Sequence, residues 1–484
     1  MPGFFVENFG CRATQADGAA LERQFEERGY SRASAPGDAS VVVLNTCTVT
    51  AGADQDARAA VRRVRRQNPD ARIIVTGCYA QRAPEEIAAL PGVDLVIGNS
   101  HKHELAEIVL RNSVVASQHS AFVFLSELTE NRELRTENWE KPENSIFVSD
   151  IFAHTELLAA PVFDAANERT RPNLKVQDGC DNRCSFCVIP FVRGQSRSLK
   201  MERVIHEMNT LVNAGYREVV ISGINLGRWG RDLDVGPQTL DLSDNSERPT
   251  ANNQRLESLI RAILSETTLQ KLRISSVEPM DWSDELIALV ASSPRVAKHA
   301  HVPMQSGSDA VLRRMHRKYR PWHYRQKIEN IRAAMPGAAI GADVMVGFPG
   351  ETDAEFEETR QMIESLPFTY LHVFTYSPRP GTPAAEMRDQ VPVHVARERN
   401  RILRELSAEK KLAFMRSFIG KTIEAITLNV IGNDEAGEFT EALTDNYLKL
   451  RWRGRHEANR WLQANVMDVT NGELQGAPGR PQRV

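Results

Sequence analysis

Cysteine is scarce in this sequence, and a fourth cysteine is missing where a complete metal site would want one. Six cysteines occur among 484 residues, at Cys11, Cys47 and Cys78 and then at Cys180, Cys184 and Cys187. So few cysteines, in a chain opening on neither a basic segment nor an apolar one, read as reduced metal ligands rather than disulfides. No apolar run approaches the roughly 18 residues that span a bilayer. These absences set the expectation of a cytoplasmic protein with no membrane partner. A charge excess of one sign is lacking too. Lys and Arg number 60 against 63 Asp and Glu, for a net charge of −3. Overall charge therefore announces no nucleic acid, and any basic surface has to be local. With 41% hydrophobic and 25% charged residues the chain reads as globular, with about two to four domains at this length.

What is present centres on Cys180-Asp181-Asn182-Arg183-Cys184-Ser185-Phe186-Cys187. The spacing is C-x3-C-x2-C. Three thiolates this close favour a soft metal centre. An iron–sulfur cubane takes four ligands, commonly all cysteine. Three leave one iron with an open site for a small bidentate ligand. A structural zinc site is the competing reading, and it wants a fourth Cys or His nearby. No His lies between Thr170 and Leu199. The motif resembles that of the radical S-adenosylmethionine (SAM) superfamily, whose cysteine triad holds a [4Fe-4S] cluster that binds SAM through its open iron. Phe186 sits where that family has an aromatic residue before the last cysteine.

Residues 1–116 alternate apolar runs with helical stretches. Phe4–Phe9, Ser40–Asn45, Ala71–Thr76 and Val93–Ile97 read as strands, and Asp17–Arg28, Ala53–Gln67 and Pro84–Ala89 as helices. The alternation predicts a doubly wound parallel sheet. Cys11, Cys47 and Cys78 each follow a strand, and in such sheets sites form at the carboxyl ends of strands. Three cysteines far apart in sequence are thus expected at one edge, as a second three-thiolate cluster. Three unrelated buried cysteines are the alternative. Gly10-Cys11, Asn45-Thr46-Cys47-Thr48-Val49-Thr50 and Gly77-Cys78 resemble the N-terminal domain of the methylthiotransferases, a family that uses a second three-cysteine cluster to handle sulfur. The sequence departs from those relatives at Arg12-Ala13-Thr14, while Gln15 and Asp17 fit. The helix at Ala53–Gln67 carries Arg58, Arg62, Arg63, Arg65 and Arg66. A solvated face is the favoured reading there, and an RNA-phosphate contact the alternative. Residues 117–165 show no clean periodicity and read as a linker or surface insertion.

Between 166 and 398 six strands are predicted: Leu174–Gln177, Glu218–Ser222, Lys271–Val277, Lys298–Pro303, Ile340–Val346 and Tyr370–Thr375. Repeated β–α units predict a parallel barrel or part of one, and six units are fewer than the eight of a closed barrel. By resemblance this is the open (β/α)6 barrel of radical-SAM enzymes, whose flank stays free for a bulky substrate. Polar residues and glycines follow the strands, where barrel sites lie. The resemblance implies that this rim grips SAM through Phe186, Gly223, Asn225, Ser276, Glu278, Gln305 and Gly347. Glu278 is the favoured acceptor for the amino or ribose groups. His299 and His301 alternate on one strand and read as structural histidines rather than ligands. Asp232–Gln254 is polar and reads as a surface insertion.

After a helical segment at Val395–Phe418, the runs Lys421–Val430, Phe439–Leu443, Tyr447–Trp452 and Ala464–Val469 predict a small antiparallel barrel within 413–480. Lys449, Arg451, Arg453 and Arg455 recur with period two against Leu448, Leu450 and Trp452. Such a strand buries its apolar set and shows a basic row. A nucleic-acid backbone contact is the functional reading, and an edge strand guarded by charge is the alternative. The segment resembles the TRAM domain, an RNA-binding module of tRNA methylthiotransferases.

Together these resemblances imply a methylthiotransferase with two [4Fe-4S] clusters and SAM, acting on a tRNA anticodon stem-loop. A flavodoxin- or ferredoxin-type electron donor and a sulfur source are implied as partners. Asn45–Thr50 with Ala53 and Asp54, the Ser222–Gly230 run and Thr444-Asp445-Asn446-Tyr447 look most like the branch that acts on threonylcarbamoyladenosine at tRNA position 37. Rival branches act on isopentenyladenosine or on a ribosomal-protein aspartate. Carbon 2 of adenine bears an unactivated C–H bond, which calls for radical chemistry of the kind a cofactor supplies. Arg228 and Arg231 are candidate partners for the substrate carboxylate, since arginine pairs with carboxylates bidentately. Outside this class, the remaining reading is an iron–sulfur or zinc RNA-binding module without catalysis.

Overall fold

The computed structural model describes residues 2–111, 146–154, 157, 171–233, 254–434 and 437–478. The segments expected as insertions, 117–165 and 232–254, lie mostly outside the described residues. The chain forms two compact units, Met1–Ala160 with Phe191–Gly194, and Pro161–Pro190 with Gln195–Val484.

The first unit is built on a parallel sheet of six strands: β1 (Gly3–Asn8), β2 (Ser31–Arg32), β3 (Val41–Thr46), β4 (Arg72–Gly77), β5 (Leu95–Gly98) and β6 (Ile146–Phe147). Their order is β2-β1-β3-β4-β5-β6. β3 reads Val-Val-Val-Leu-Asn-Thr and is buried throughout, as a central parallel strand covered on both faces must be. Val41 and Val43 pack with Leu21 and Phe25 of the helix Arg12–Glu26. Val42 and Leu44 pack with Ala57, Val61 and Val64 of the helix Ala51–Gln67. The two helices thus cover opposite faces, which makes the sheet doubly wound. The Thr50 hydroxyl caps the second helix by accepting the Ala53 N–H at 3.2 Å, one of the donors a helix start leaves unpaired. The two-residue strands β2 and β6 are too short to show a period in sequence. β6 comes from the stretch read as a linker and pairs with β5 through Val96↔Ile146 and Ile97↔Phe147.

The second unit opens with β7 (Asn173–Asp178), followed by β8 (Arg197–Ser198), β9 (Glu218–Gly223), β10 (Lys271–Ile274), β11 (His299–His301), β12 (Ala339–Val346) and β13 (Tyr370–Thr375). β8 is a short antiparallel addition to β7; the other six are the predicted core strands. They pair in parallel as β7–β9–β10 and β11–β12–β13, and the bridges Leu272↔Val296 and Ser276↔His301 join the two sets. Among the described residues β13 has a strand partner on one side only, so the barrel is open. Ala300, Val302, Ala342 and Val344 pack outward into the core under the helices. By alternation, His299, His301, Asp343, Tyr370 and His372 face the barrel interior.

The helix Val393–Arg416 leads into a closed barrel of β14 (Thr422–Asp434), β15 (Gly437–Thr444), β16 (Lys449–Arg453), β17 (Trp461–Thr470) and β18 (Glu473–Pro478). The order is β14-β15-β16-β18-β17. All pairs are antiparallel except β16–β18, which is parallel. β18 was not expected, because Glu-Leu-Gln-Gly-Ala-Pro shows no apolar alternation. Arg273 ties this barrel to the core. Its guanidinium bonds Glu218 Oε1 at 2.6 Å and the carbonyls of Asp445 and Thr444 at 3.0 and 3.4 Å. No helix among the described residues is long and apolar enough to cross a membrane.

Candidate functional site

In the first unit Cys11 caps the helix Arg12–Glu26, Cys47 follows β3, and Cys78 follows β4 and opens the short helix Cys78–Arg82. Glycines before the first and third cysteines make room. Gly10 has φ +99°, and a Cβ there would stand 2.6 Å from Cys47 Cβ and 2.9 Å from its sulfur; Gly77, also at φ +99°, would meet the Thr46 carbonyl at 2.3 Å. Only glycine suits such positions. Burial, then the thiols of Cys78 and Cys11, push the Cys47 thiol up to about 11. The thiols of Cys78 and Cys11 thus stand close enough to Cys47 to oppose its ionisation, and a cation among the three removes that cost.

A buried polar network surrounds them. Asp17 Oδ2 accepts from Lys102 Nζ at 3.1 Å and from Arg193 Nη2 at 3.0 Å. Lys102 also reaches Asn45 Oδ1 at 3.1 Å, and burial lowers its pKa. Asn99 Nδ2 stands 3.6 Å from Cys78 Sγ and bonds the Val192 carbonyl at 2.7 Å. Both cations on this carboxylate also act on the thiols, Arg193 on Cys47 and Lys102 on Cys78, and buried positive charge suits a thiolate-held anionic centre. Sequence reading singled out Asp17 but not Lys102 or Arg193. They lie 85 and 176 residues from it, and no motif spans such distances.

In the second unit the cysteine loop is pinned at Ser185. Its N–H donates to the Met315 carbonyl at 3.1 Å, its hydroxyl to the Arg314 carbonyl at 2.7 Å, and its carbonyl accepts the Ala384 N–H at 2.9 Å. Burial and the neighbouring thiols raise Cys187 and Cys180 above the ordinary thiol range. Two of the three sulfurs also have a side-chain donor at hand. Asn225 Nδ2 is 3.7 Å from Cys180 Sγ, and Arg317 Nη1 is 3.1 Å from Cys184 Sγ. Arg317 pairs with Glu278 through its other nitrogen. Arg317 escaped sequence reading because it stands 133 residues beyond Cys184.

Comparison with known proteins places the chain. Residues 3–98 match the model of Uncharacterized protein family UPF0004, and residues 174–363 that of the Radical SAM superfamily. Over 93% of its length the chain is 37% identical to a threonylcarbamoyladenosine tRNA methylthiotransferase of Bacillus subtilis, covering 90% of that protein. It is 34% identical to an Aquifex aeolicus protein of the same name, over 95% of this chain and 99% of that one. The chain belongs to the radical-SAM methylthiotransferase family. A tRNA-2-methylthio-N(6)-dimethylallyladenosine synthase of Novosphingobium aromaticivorans is 34% identical over 87% of this chain and 86% of its own length. Among solved structures, the radical SAM methyltransferase TsrM of Kitasatospora setae shares the fold, with TM-score 0.54 at 14% identity, covering 80% of this chain and 74% of that one. Membership of the family brings SAM and a [4Fe-4S] cluster as cofactors.

The residues expected to hold SAM in this methylthiotransferase divide into two groups. Glu278 lines a cavity with Asn182, Cys184, Arg228 and Arg317, and Asn225 stands at Cys180. Phe186 packs edge-on against Phe348 at 6.4 Å. These three adjoin the cysteine loop. Gly223 and Gly347 are instead explained by packing, since a Cβ would meet Gln177 Oε1 at 2.8 Å or Ala396 Cβ at 2.5 Å. Ser276 bonds His301 Nδ1 at 2.7 Å. Gln305 takes φ +62° and bridges Val344 through its backbone. Arg228 and Arg231 both pair with Asp281, at 3.1 and 3.0 Å.

The basic row of β16 is not an edge, because β15 and β18 flank it. The reading as a charge-guarded edge strand therefore falls. Most of the row is partnered. Arg451 pairs with Glu473 at 2.5 Å and lies over the Phe439 ring at 4.5 Å, Arg453 pairs with Asp434 at 2.6 Å, and Lys449 approaches Glu473 at 3.6 Å. Arg455 is exposed. On the helix Ala51–Gln67, Arg58 pairs with Glu86, Arg63 with Glu7 and Arg65 with Asp94, which favours the structural reading of that face.

Proposed function

We propose that the chain methylthiolates carbon 2 of threonylcarbamoyladenosine beside the tRNA anticodon, using SAM as radical source and as methyl donor. The observation that carries this is the 37% identity to the Bacillus subtilis protein of that name over nearly the whole of both chains. Cys180, Cys184 and Cys187 would hold the SAM-binding cluster, and Cys11, Cys47 and Cys78 a second one that handles sulfur. When bound, these groups supply a radical able to attack an unactivated C–H bond and a sulfur to place there. The chain's own residues orient and charge-balance. Asn225 and Arg317 direct donors at two of the sulfurs, and hydrogen bonds to sulfur tune such centres. Glu278, fixed by Arg317, presents an acceptor beside Cys184 for the amino or ribose groups of SAM. Lys102 and Arg193 offset negative charge at the other triad.

The base modified in tRNA carries a carboxylate, which is costly to bury unpaired. Arg228 and Arg231 share one partner, Asp281, and so keep donors for a second carboxylate. Lys449, Arg451, Arg453 and Arg455 are proposed as part of the tRNA surface, with Arg455 the most accessible. A flavodoxin- or ferredoxin-type donor and a sulfur source complete the proposed partners. The test is turnover by reconstituted enzyme on two anticodon stem-loops. Methylthiolation of the one bearing threonylcarbamoyladenosine and not of the one bearing isopentenyladenosine is expected. Equal turnover, or preference for the second, would refute the substrate while leaving the reaction type intact.

A further inference from the structure

The interior of the core barrel holds side chains that the reading above leaves unused. We propose that His301, Asp343 and His372 form a binding site for one divalent transition-metal ion of the zinc or iron(II) class. The three stand on the neighbouring parallel strands β11, β12 and β13, and one ligand atom from each lies within 4.8 Å of the other two. His301 Nε2 and His372 Nδ1 are each 3.4 Å from Asp343 Oδ1. Ligands about 2.0–2.1 Å from a tetrahedral zinc stand about 3.4 Å from one another. Two of the three separations are therefore those of a coordination sphere, and the two imidazole nitrogens lie within 4.8 Å of each other. Two imidazoles with one carboxylate are also the protein set of catalytic zinc and of non-haem iron(II), with further positions left open.

A second observation points the same way. The His301 side chain is 7% exposed, and its Nε2 makes no hydrogen bond of normal geometry. The other ring nitrogen is held by Ser276 Oγ at 2.7 Å. Nε2 thus faces a carboxylate oxygen at 3.4 Å, a gap that a proton or a shared cation can fill. Ser276 serves as the outer partner that orients a ligating imidazole. Burial would raise the Asp343 carboxyl, yet the two imidazoles hold it well below the usual carboxylate range, so it is available as an anionic ligand. Below the triad, Tyr370 bonds His299 Nε2 at 2.7 Å and lies against Gly341, where a Cβ would come within 2.0 Å of the ring. Toward the open side of the barrel His372 is 56% exposed, which gives an ion and a further ligand a way in. None of the three residues lines the cavity beside Cys184. The inference stands whatever base the enzyme modifies.

The experiment uses cluster-loaded enzyme equilibrated with micromolar zinc, followed by counts of zinc, iron and sulfide per chain and zinc-edge X-ray absorption. Wild type should hold one zinc more than an Asp343→Asn/His372→Ala variant, at unchanged iron and sulfide. Its shell should contain nitrogen and oxygen at about 2.0–2.1 Å and no sulfur at about 2.3 Å. Ser276→Ala should weaken zinc binding about 10- to 100-fold. His372→Ala alone, at an exposed position, keeps the test sound if the substitution at the partly buried Asp343 misfolds, and it should also lose the extra zinc. Equal zinc in wild type and variants, sulfur in the shell, or no zinc retained at micromolar concentration would overturn the proposal.

Discussion

Cys180, Cys184 and Cys187 come from one loop of eight residues, whereas Cys11, Cys47 and Cys78 come from the ends of three separate strands. The loop can present its thiols once Ser185 is anchored. The other set exists only when β1, β3 and β4 lie side by side in register. Their surroundings differ in kind as well. The loop triad has Arg317 and the partly exposed Glu278 beside it, and the strand-end triad has the buried Asp17, Lys102 and Arg193. A metal group on the loop cross-links a few residues. One on the strand ends clamps a sheet, so its binding energy is also folding energy for the first unit.

The sharpest way to break this comparison is to remove one thiol from each set. Cys184→Ala should abolish reductive SAM cleavage. Cys47→Ala should leave that cleavage intact and stop sulfur insertion, measured as methylthio product. Equal loss of SAM cleavage in both variants would mean that the two sets do not act separately. The next largest effect is on stability. Asp17→Asn leaves two buried cations without their carboxylate and should cost about 3–5 kcal/mol in urea unfolding. Glu278→Gln leaves Arg317 with other partners and should cost about 1–2 kcal/mol. Comparable costs would show that the two triads are supported alike.

A smaller effect follows from the Cys47 thiol, raised from about 9 to about 11. Between those pH values the unfolded chain loses its proton while the folded chain keeps it. Stability of the cluster-free protein is therefore full below pH 9 and falls as pH rises to about 11, by about 2–3 kcal/mol. Alkaline urea titrations of wild type and Cys47→Ala measure it, and the variant should lose this component. The smallest effect lies outside both triads. Replacing Arg451, Arg453 and Arg455 with Gln should flatten the log–log salt slope of tRNA binding by about 0.7–0.9, one contact's worth, because Asp434 and Glu473 already hold two of the three. SAM cleavage without tRNA should persist in that variant, and a slope change of three contacts would show that the ion pairs open on binding.

Where sequence reading worked, the signal was local. The apolar runs before Cys11, Cys47 and Cys78 became β1, β3 and β4, and the six core strands appeared at their expected places. β6 and β18 escaped it, one for its length of two residues and the other for lack of alternation. Arg228 and Arg231 were singled out as carboxylate partners, and the structure adds that Asp281 sits between them. Ser276 was placed with SAM on its position after a strand, whereas its hydroxyl is on His301.

By itself the sequence determined the cysteine loop, the order of the main strands and helices, and the family. These depend on spacing and period, which are properties of neighbours along the chain. Only the tertiary structure decided the charge around each triad, the pairing of the basic row and the meeting of His301, Asp343 and His372. Those rest on contacts between residues tens to hundreds of positions apart. Burial sets the energies of the groups around the triads, and burial exists only once the sheets have closed.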